Sequence, residues 1–274
     1  MVPKDSSIIC FLYFVACFRP RSTPSHMNHR HPTIVLIHGY GFDTRIWYPV
    51  ELGFEGFEVV YFSLPGFGDD SFHEGYSIEE LSKYYWGKLS GPGHQQVHLV
   101  GHSMGGYVCM EMIAQQPERV LSLSLIHSHV FEDVPDRKEI RSSVMKEIKS
   151  AGRNAFVERM ITSLPGSGIS DATTLTSLLI SRGKSYSDEA WYNGTRAIRD
   201  RKDHGDTLSG LSLPVLMILG AEDKAVPIEL GYKQAAMCER CQLHVYPGVG
   251  HLAMYEHTAA MIADLHHFFS PFLS

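Results

Sequence analysis

Three residues of this chain can combine into a single reaction: Ser103, Asp223 and His251 each follow a short apolar run, and each has glycine close by. Ser103 is the centre of Gly101-His102-Ser103-Met104-Gly105, a GxSxG pattern. A serine hydroxyl is a poor nucleophile at neutral pH and needs a base within hydrogen-bond reach, itself oriented by a third group. Asp223 lies in Gly220-Ala221-Glu222-Asp223 and His251 in Gly248-Val249-Gly250-His251, and the order serine, aspartate, histidine is the one found with a nucleophile at a strand-to-helix elbow. The neighbouring Glu222 competes for the acid role, and a helix-capping aspartate is the plain alternative for Asp223. Of the sixteen histidines, His251 is singled out by its place in a glycine-rich turn after the last strand-like run. A glycine-rich structural turn is the corresponding alternative for residues 101–105.

Acyl transfer also needs hydrogen-bond donors where negative charge develops on the carbonyl oxygen. The backbone N–H of Met104, at the start of the helix after the nucleophile, and that of Tyr40, in the loop after the first strand, are the candidates. The side chains of Tyr40, Phe42, Met104, Phe131, Phe156, Trp191 and Leu252 are candidates for an apolar acyl pocket, with ordinary core packing as the alternative for each. No metal-ligand set and no cofactor motif accompanies them, so the expected chemistry is cofactor-free.

Positioning these groups requires strands that end where they sit. Residues 97–100 form a short apolar run, and Met104, Val108 and Met112 recur at helical spacing straight afterwards, so the chain turns sharply at Ser103. Further apolar, strand-like runs fall at 33–37, 57–62, 120–126, 215–219 and 242–246. Helices are predicted from Asp43 or Thr44 to Leu52, from a Ser77/Glu80 capping box to Leu89 with Gly91-Pro92-Gly93 ending it, after Ser103, over 227–237 and over 256–269. Alternation of strand and helix predicts an α/β fold with a mostly parallel sheet and helices on both faces. Between about 128 and 212 the texture changes to charged helical stretches at 136–151, 154–164 and 187–201 with no strand among them, which predicts a helical insertion. The resulting division is a leader at 1–30, a core of 31–127 and 213–274, and an inserted helical region at 128–212.

Composition limits the alternatives. Of 274 residues, 44% are hydrophobic and 20% charged, which fits a packed globular domain. The net charge is −6, and without residues 1–26, where Lys4, Arg19 and Arg21 face Asp5, it is −8. That balance argues against a nucleic-acid partner. Five scattered cysteines do not make a disulfide framework, and the Cys238/Cys241 pair has no second pair to complete a zinc site. The apolar run 8–18 is too short to span a bilayer. It reads as a dispensable or mis-assigned leader, with Met27 as the working start and a cytoplasmic protein as the result. The alternative is an export signal, or a lipoprotein signal processed at Cys17.

Five segments, HGYGF at 38–42, LPGFGD at 64–69, GHSMGG at 101–106, GAEDKAVP at 220–227 and GVGHLAMYE at 248–256, make the chain from Thr33 onward resemble a serine hydrolase of the α/β-hydrolase family. The resemblance implies an eight-stranded sheet, a helical cap after the sixth strand, and ester hydrolysis through an acyl-enzyme. Two departures stand out: nothing before Thr33 matches the family's first two strands, so a shortened sheet is expected, and where some members carry the acid this chain reads His127-Ser128-His129. Ser103 argues against relatives that use an aspartate nucleophile. The reading is therefore a carboxylic-ester hydrolase acting on a small acyl substrate. Carbon–carbon bond hydrolysis, cofactor-free peroxidation and a non-enzymatic ligand receptor remain open on the same residues, and the oligomeric state is not legible.

Overall fold

A computed structural model describes residues 31–68, 75–90 and 94–273. The leader, Met27, Asp69 and Gly91-Pro92-Gly93 lie outside the described residues. Six strands form one sheet: β1 (Thr33–Ile37), β2 (Glu58–Phe62), β3 (Val97–His102), β4 (Val120–Ile126), β5 (Val215–Gly220) and β6 (Cys241–Tyr246), in the spatial order β2-β1-β3-β4-β5-β6. Every pairing is parallel. The eight strands implied by the resemblance are thus six among the described residues, as the lack of matching sequence before Thr33 foreshadows. The residues of β1, β3 and β5 are buried throughout, because a central parallel strand is covered on both faces, whereas β2 and β6 at the edges are partly exposed.

Strand order reverses once, between β1 and β3. Right-handed crossovers then put the β1-to-β2 connection on one face and the later connections on the other. The first connection is a 3₁₀ helix, Thr44–Phe54, in place of the expected α-helix; it contains Pro49, which has no N–H to donate, and is capped by Asp43. On the other face lie α1 (Ile78–Lys88), α2 (Met104–Gln115) and α8 (Ile228–Ala235). The capping box of α1 forms as read: Ser77 N donates to Glu80 Oε2 at 2.8 Å and Glu80 N to Ser77 Oγ at 3.1 Å. The last helix is not continuous over 256–269. It breaks at His257 (φ −144°, ψ 42°) into α9 (Ala253–Glu256) and α10 (Thr258–Phe269), and α10 packs on the 3₁₀ helix through Phe269 and Phe54, whose ring centroids are 5.9 Å apart.

Five helices separate β4 from β5: α3 (Pro135–Ala151), α4 (Asn154–Thr162), α5 (Ala172–Ser185), α6 (Asp188–Arg199) and α7 (Gly205–Ser209). Three match the charged stretches of the sequence, and α5 and α7 are additional. No helix among the described residues is long and apolar enough to cross a membrane.

Candidate active site

Ligands bind at the carboxyl ends of parallel strands where the strand order reverses. Here that crevice lies past the ends of β1 and β3, which are the loop carrying Tyr40 and the turn carrying Ser103. Ser103 has φ 52° and ψ −117°, a sparsely populated conformation that costs about 1–3 kcal/mol and persists only where the surroundings enforce it. They do so through glycine. A Cβ on Gly101 would stand 2.4 Å from the backbone nitrogen of Gly106, and one on Gly105 2.1 Å from the carbonyl oxygen of Ile37, so the elbow closes only if both positions lack a side chain.

Asp223 and His251 come together after β5 and β6. Asp223 Oδ2 accepts from His251 Nδ1 at 2.7 Å, and Oδ1 accepts the amides of Ala225 and Val226 at 2.8 and 2.9 Å. Burial raises the carboxyl pKa, but the adjacent His251 and His127 outweigh it and hold Asp223 ionised well below the usual carboxylate range. With Nδ1 donating to Asp223, His251 keeps Nε2 free to act as a base. Glu222, the rival acid, is exposed and accepts instead from Ser167 N at 2.7 Å and Ser167 Oγ at 2.6 Å.

The histidine loop is tied down on both sides of residue 251. Gly250 N and Leu252 N each donate to the Glu256 carboxylate at 2.9 Å, Gly166 N donates to it at 2.6 Å, and His251 N donates to Leu164 O at 2.8 Å. Glu256 thus fixes the loop carrying His251 and joins it to the segment between α4 and α5. Its position inside the GVGHLAMYE segment, five residues past the histidine, was the available signal.

Ser103 lies beside this pair through its neighbour His102, which donates Nε2–H to the His251 carbonyl at 3.1 Å, with ring centroids 5.0 Å apart. Ser128 Oγ donates to the Ser103 carbonyl at 2.8 Å. Among the described residues the Ser103 hydroxyl itself makes no hydrogen bond, so the serine–histidine link is open in this conformation. A Cβ on Gly39 would lie 3.0 Å from Ser103 Cβ, which brings the loop after β1 alongside Ser103. The amides of Tyr40 and Met104 have no backbone partner among the described residues.

The pocket candidates divide. Tyr40, Phe156 and Trp191 form one aromatic cluster, with centroid separations of 4.8 Å for Tyr40–Trp191, 5.7 Å for Phe156–Trp191 and 6.4 Å for Tyr40–Phe156. Phe67, which the sequence did not single out, joins it 5.6 Å from Tyr40. Phe42 packs 5.6 Å from the His102 ring, while Met104 and Leu252 are fully buried. Phe131 stands apart from the cluster: it stacks near His129, carries Lys233 over its ring, and lines a separate cavity of about 470 Å³ with Tyr107, Ala225 and Leu230.

Among the described residues, His127, Asp223 and His251 are the one group of three or more histidine, cysteine or carboxylate side chains whose polar atoms converge. All three are buried, and their facing atoms are already hydrogen-bonded to one another.

The chain is similar to known proteins. A sequence model described as "Alpha/beta hydrolase family" matches residues 34–265. The chain is similar to a pimeloyl-[acyl-carrier protein] methyl ester esterase of Pseudoalteromonas atlantica, 26% identical over 243 residues that cover 85% of this chain and 93% of that one. It is also similar to a 2-hydroxy-6-oxononadienedioate/2-hydroxy-6-oxononatrienedioate hydrolase of Cupriavidus pinatubonensis, 24% identical over 262 residues, or 85% and 86% of the two chains. Among solved structures, a thermophilic esterase from Thermogutta terrifontis superposes with a TM-score of 0.81 at 24% identity, covering 89% of this chain and 91% of that one, a likeness of fold.

Proposed function

The chain belongs to the alpha/beta hydrolase family, and we propose that within it the protein is a serine hydrolase that cleaves a carboxylic ester or related acyl substrate through an acyl-enzyme. The observation that carries this reading is the 2.7 Å hydrogen bond from His251 Nδ1 to the buried, ionised Asp223, on a rim shared with a serine in strained elbow geometry. Ser103 Oγ attacks the acyl carbon as His251 Nε2 takes its proton, and Asp223 stabilises the imidazolium that forms. The amides of Tyr40 and Met104 receive the oxyanion. Collapse of the tetrahedral intermediate breaks the bond to the alcohol, which leaves with the proton from His251. Water, deprotonated by the same nitrogen, then releases the acid and restores Ser103. The open serine–histidine link is compatible with this cycle, because catalytic hydrogen bonds are commonly long before substrate arrives and tighten in the complex. Residues 128–212 act in this reading as a cap that shapes the acyl site.

Turnover of p-nitrophenyl esters of graded acyl length tests the proposal. Wild-type protein turns over repeatedly and Ser103→Ala does not; a Ser103→Ala protein as active as wild type contradicts it. Carbon–carbon bond hydrolysis is the second reading, favoured by the similarity to the Cupriavidus hydrolase. It requires cleavage of a vinylogous diketone acid faster than that of any ester in the panel. A receptor would instead react once and retain the adduct.

A further inference from the structure

The sequence marked residues 127–129 only as a place where no acid stands. In the structure His127 is one of the two non-glycine residues with positive φ among those described, at 47°, and the other is Ser103. The two follow neighbouring strands, β4 and β3. The His127 imidazole is fully buried and uses both nitrogens. Nδ1 lies 3.1 Å from Asp223 Oδ2, the oxygen that also accepts from His251, and Nε2 lies 3.1 Å from the backbone nitrogen of Ala253, two residues past His251. A backbone N–H can only donate, so Nε2 must be the bare nitrogen and Nδ1 the protonated one. One neutral tautomer satisfies both contacts, and a protonated ring would set two N–H groups against each other at Ala253.

We propose that His127 is a positioning residue: a neutral imidazole that bridges the catalytic acid after β5 to the start of α9 after β6, and so fixes the orientation in which His251 presents its free nitrogen to Ser103. This inference rests on the triad reading above. The bridge completes the environment of Asp223, whose carboxylate then accepts four N–H groups, two from backbone and two from imidazoles. Burial pushes the His127 pKa down, which keeps the required tautomer in place. The groups facing the ring are Asp223, His251 at 5.4 Å between centroids, His102 at 6.0 Å, and the Glu256 carboxylate through its charge. Without His127, Asp223 Oδ2 serves His251 alone, and the contact that fixes the direction of that carboxylate oxygen is gone. The buried Ala253 amide meanwhile loses its acceptor.

Two variants separate the roles of the ring. His127→Asn tolerates the left-handed backbone and places an amide donor near the Nδ1 position, whereas His127→Ala supplies neither donor nor acceptor. Expressed per active site titrated with a fluorophosphonate, kcat/KM of His127→Ala on a p-nitrophenyl ester should fall about tenfold or more, the loss seen when partners that orient a metal-bound imidazole are removed. The loss should fall on kcat with KM little changed, and His127→Asn should recover most of it. Equal kcat for wild type and His127→Ala overturns the proposal, whatever happens to the melting temperature. Ser103→Ala run beside them isolates failure of the triad reading from failure of the bridge. Long-range ¹⁵N spectra of the imidazoles decide the bridge independently of turnover: His127 protonated on Nδ1 supports it, and on Nε2 overturns it.

Discussion

The Tyr40 hydroxyl donates to the main-chain carbonyl of Trp191 at 2.7 Å and lies 2.6 Å from Thr195 Oγ1, so the loop that borders Ser103 is fastened by its own side chain to α6 of the inserted region. Burial raises the phenol pKa and keeps it protonated for this contact. Tyr40→Phe removes one of the hydroxyls on the Trp191 carbonyl, which Thr195 Oγ1 still reaches at 2.8 Å, so the cost is that of one net hydrogen bond, about 0.5–1.5 kcal/mol. In thermal denaturation the variant should melt a few degrees lower, since each kcal/mol shifts Tm by about 2–4 °C in a domain of this size. It should also lose several-fold in kcat/KM on esters, through the loosened amide at residue 40. Lower Tm with unchanged kcat/KM would show that the loop holds its amide without the latch.

The proposed reaction offers the acyl group two places. With Ser103 as nucleophile and the Tyr40 amide receiving the oxyanion, we place it against the cluster of Tyr40, Phe156 and Trp191. Within that cluster Phe156 is only partly buried and is the ring that can be cut back with least damage. Phe156→Ala should move the preferred p-nitrophenyl ester to a longer acyl chain. Phe131→Ala, which alters the separate cavity of about 470 Å³, should leave the chain-length profile where it was. The reverse pattern would place the acyl group in that cavity.

Asp43 carries a pH dependence of stability. Its carboxylate caps the 3₁₀ helix, pairs with Arg45, and accepts from Tyr186 of the inserted region at 2.5 Å. Burial opposes its charge, but the hydrogen bonds from Arg45 and Tyr186 prevail and lower its pKa to about 2. A carboxyl whose pKa is lower folded than unfolded contributes stability above its unfolded pKa and loses it as pH falls through the folded value. Arg45 is partly exposed, so solvent screens some of the pairing. Asp43→Asn should therefore be less stable than wild type by about 1–2 kcal/mol at neutral pH. In denaturant titrations the gap should close as pH falls from about 4 to about 2. A gap that persists unchanged through that window would mean that the carboxylate charge is not what stabilises the cap.

Much of this site is legible in the sequence because turn chemistry is local. Gly101 and Gly105 announce a backbone that no other residue permits, and glycines beside Asp223 and His251 mark strand ends in the same way. The Ser77 box and the six strands are local patterns too. What escaped depends on direction or on distant partners. Glu222 and Asp223 are adjacent acids, and only the course of the chain after β5 decides which one faces inward. His127 is one of sixteen histidines, and its use of both nitrogens depends on two loops about a hundred residues away in sequence. Helix α5, ATTLTSLLISRGKS, is rich in threonine and serine and shows no charged helical face, so its helical character comes from capping by Asp171 and packing of Leu179 and Gly183. Phe131 lines a cavity whose other walls, Tyr107, Ala225 and Leu230, come from distant segments, so which cavity it lines is set by tertiary packing.

The central claim is that Ser103 is a nucleophile made reactive by His251 and Asp223, and it is tested most directly by peptide-mapping the adduct of a fluorophosphonate with the intact chain. A single covalent modification is expected on the peptide containing Ser103, absent in Ser103→Ala and formed far more slowly in His251→Ala. A label on another residue, or equal labelling rates in wild type and His251→Ala, would contradict it.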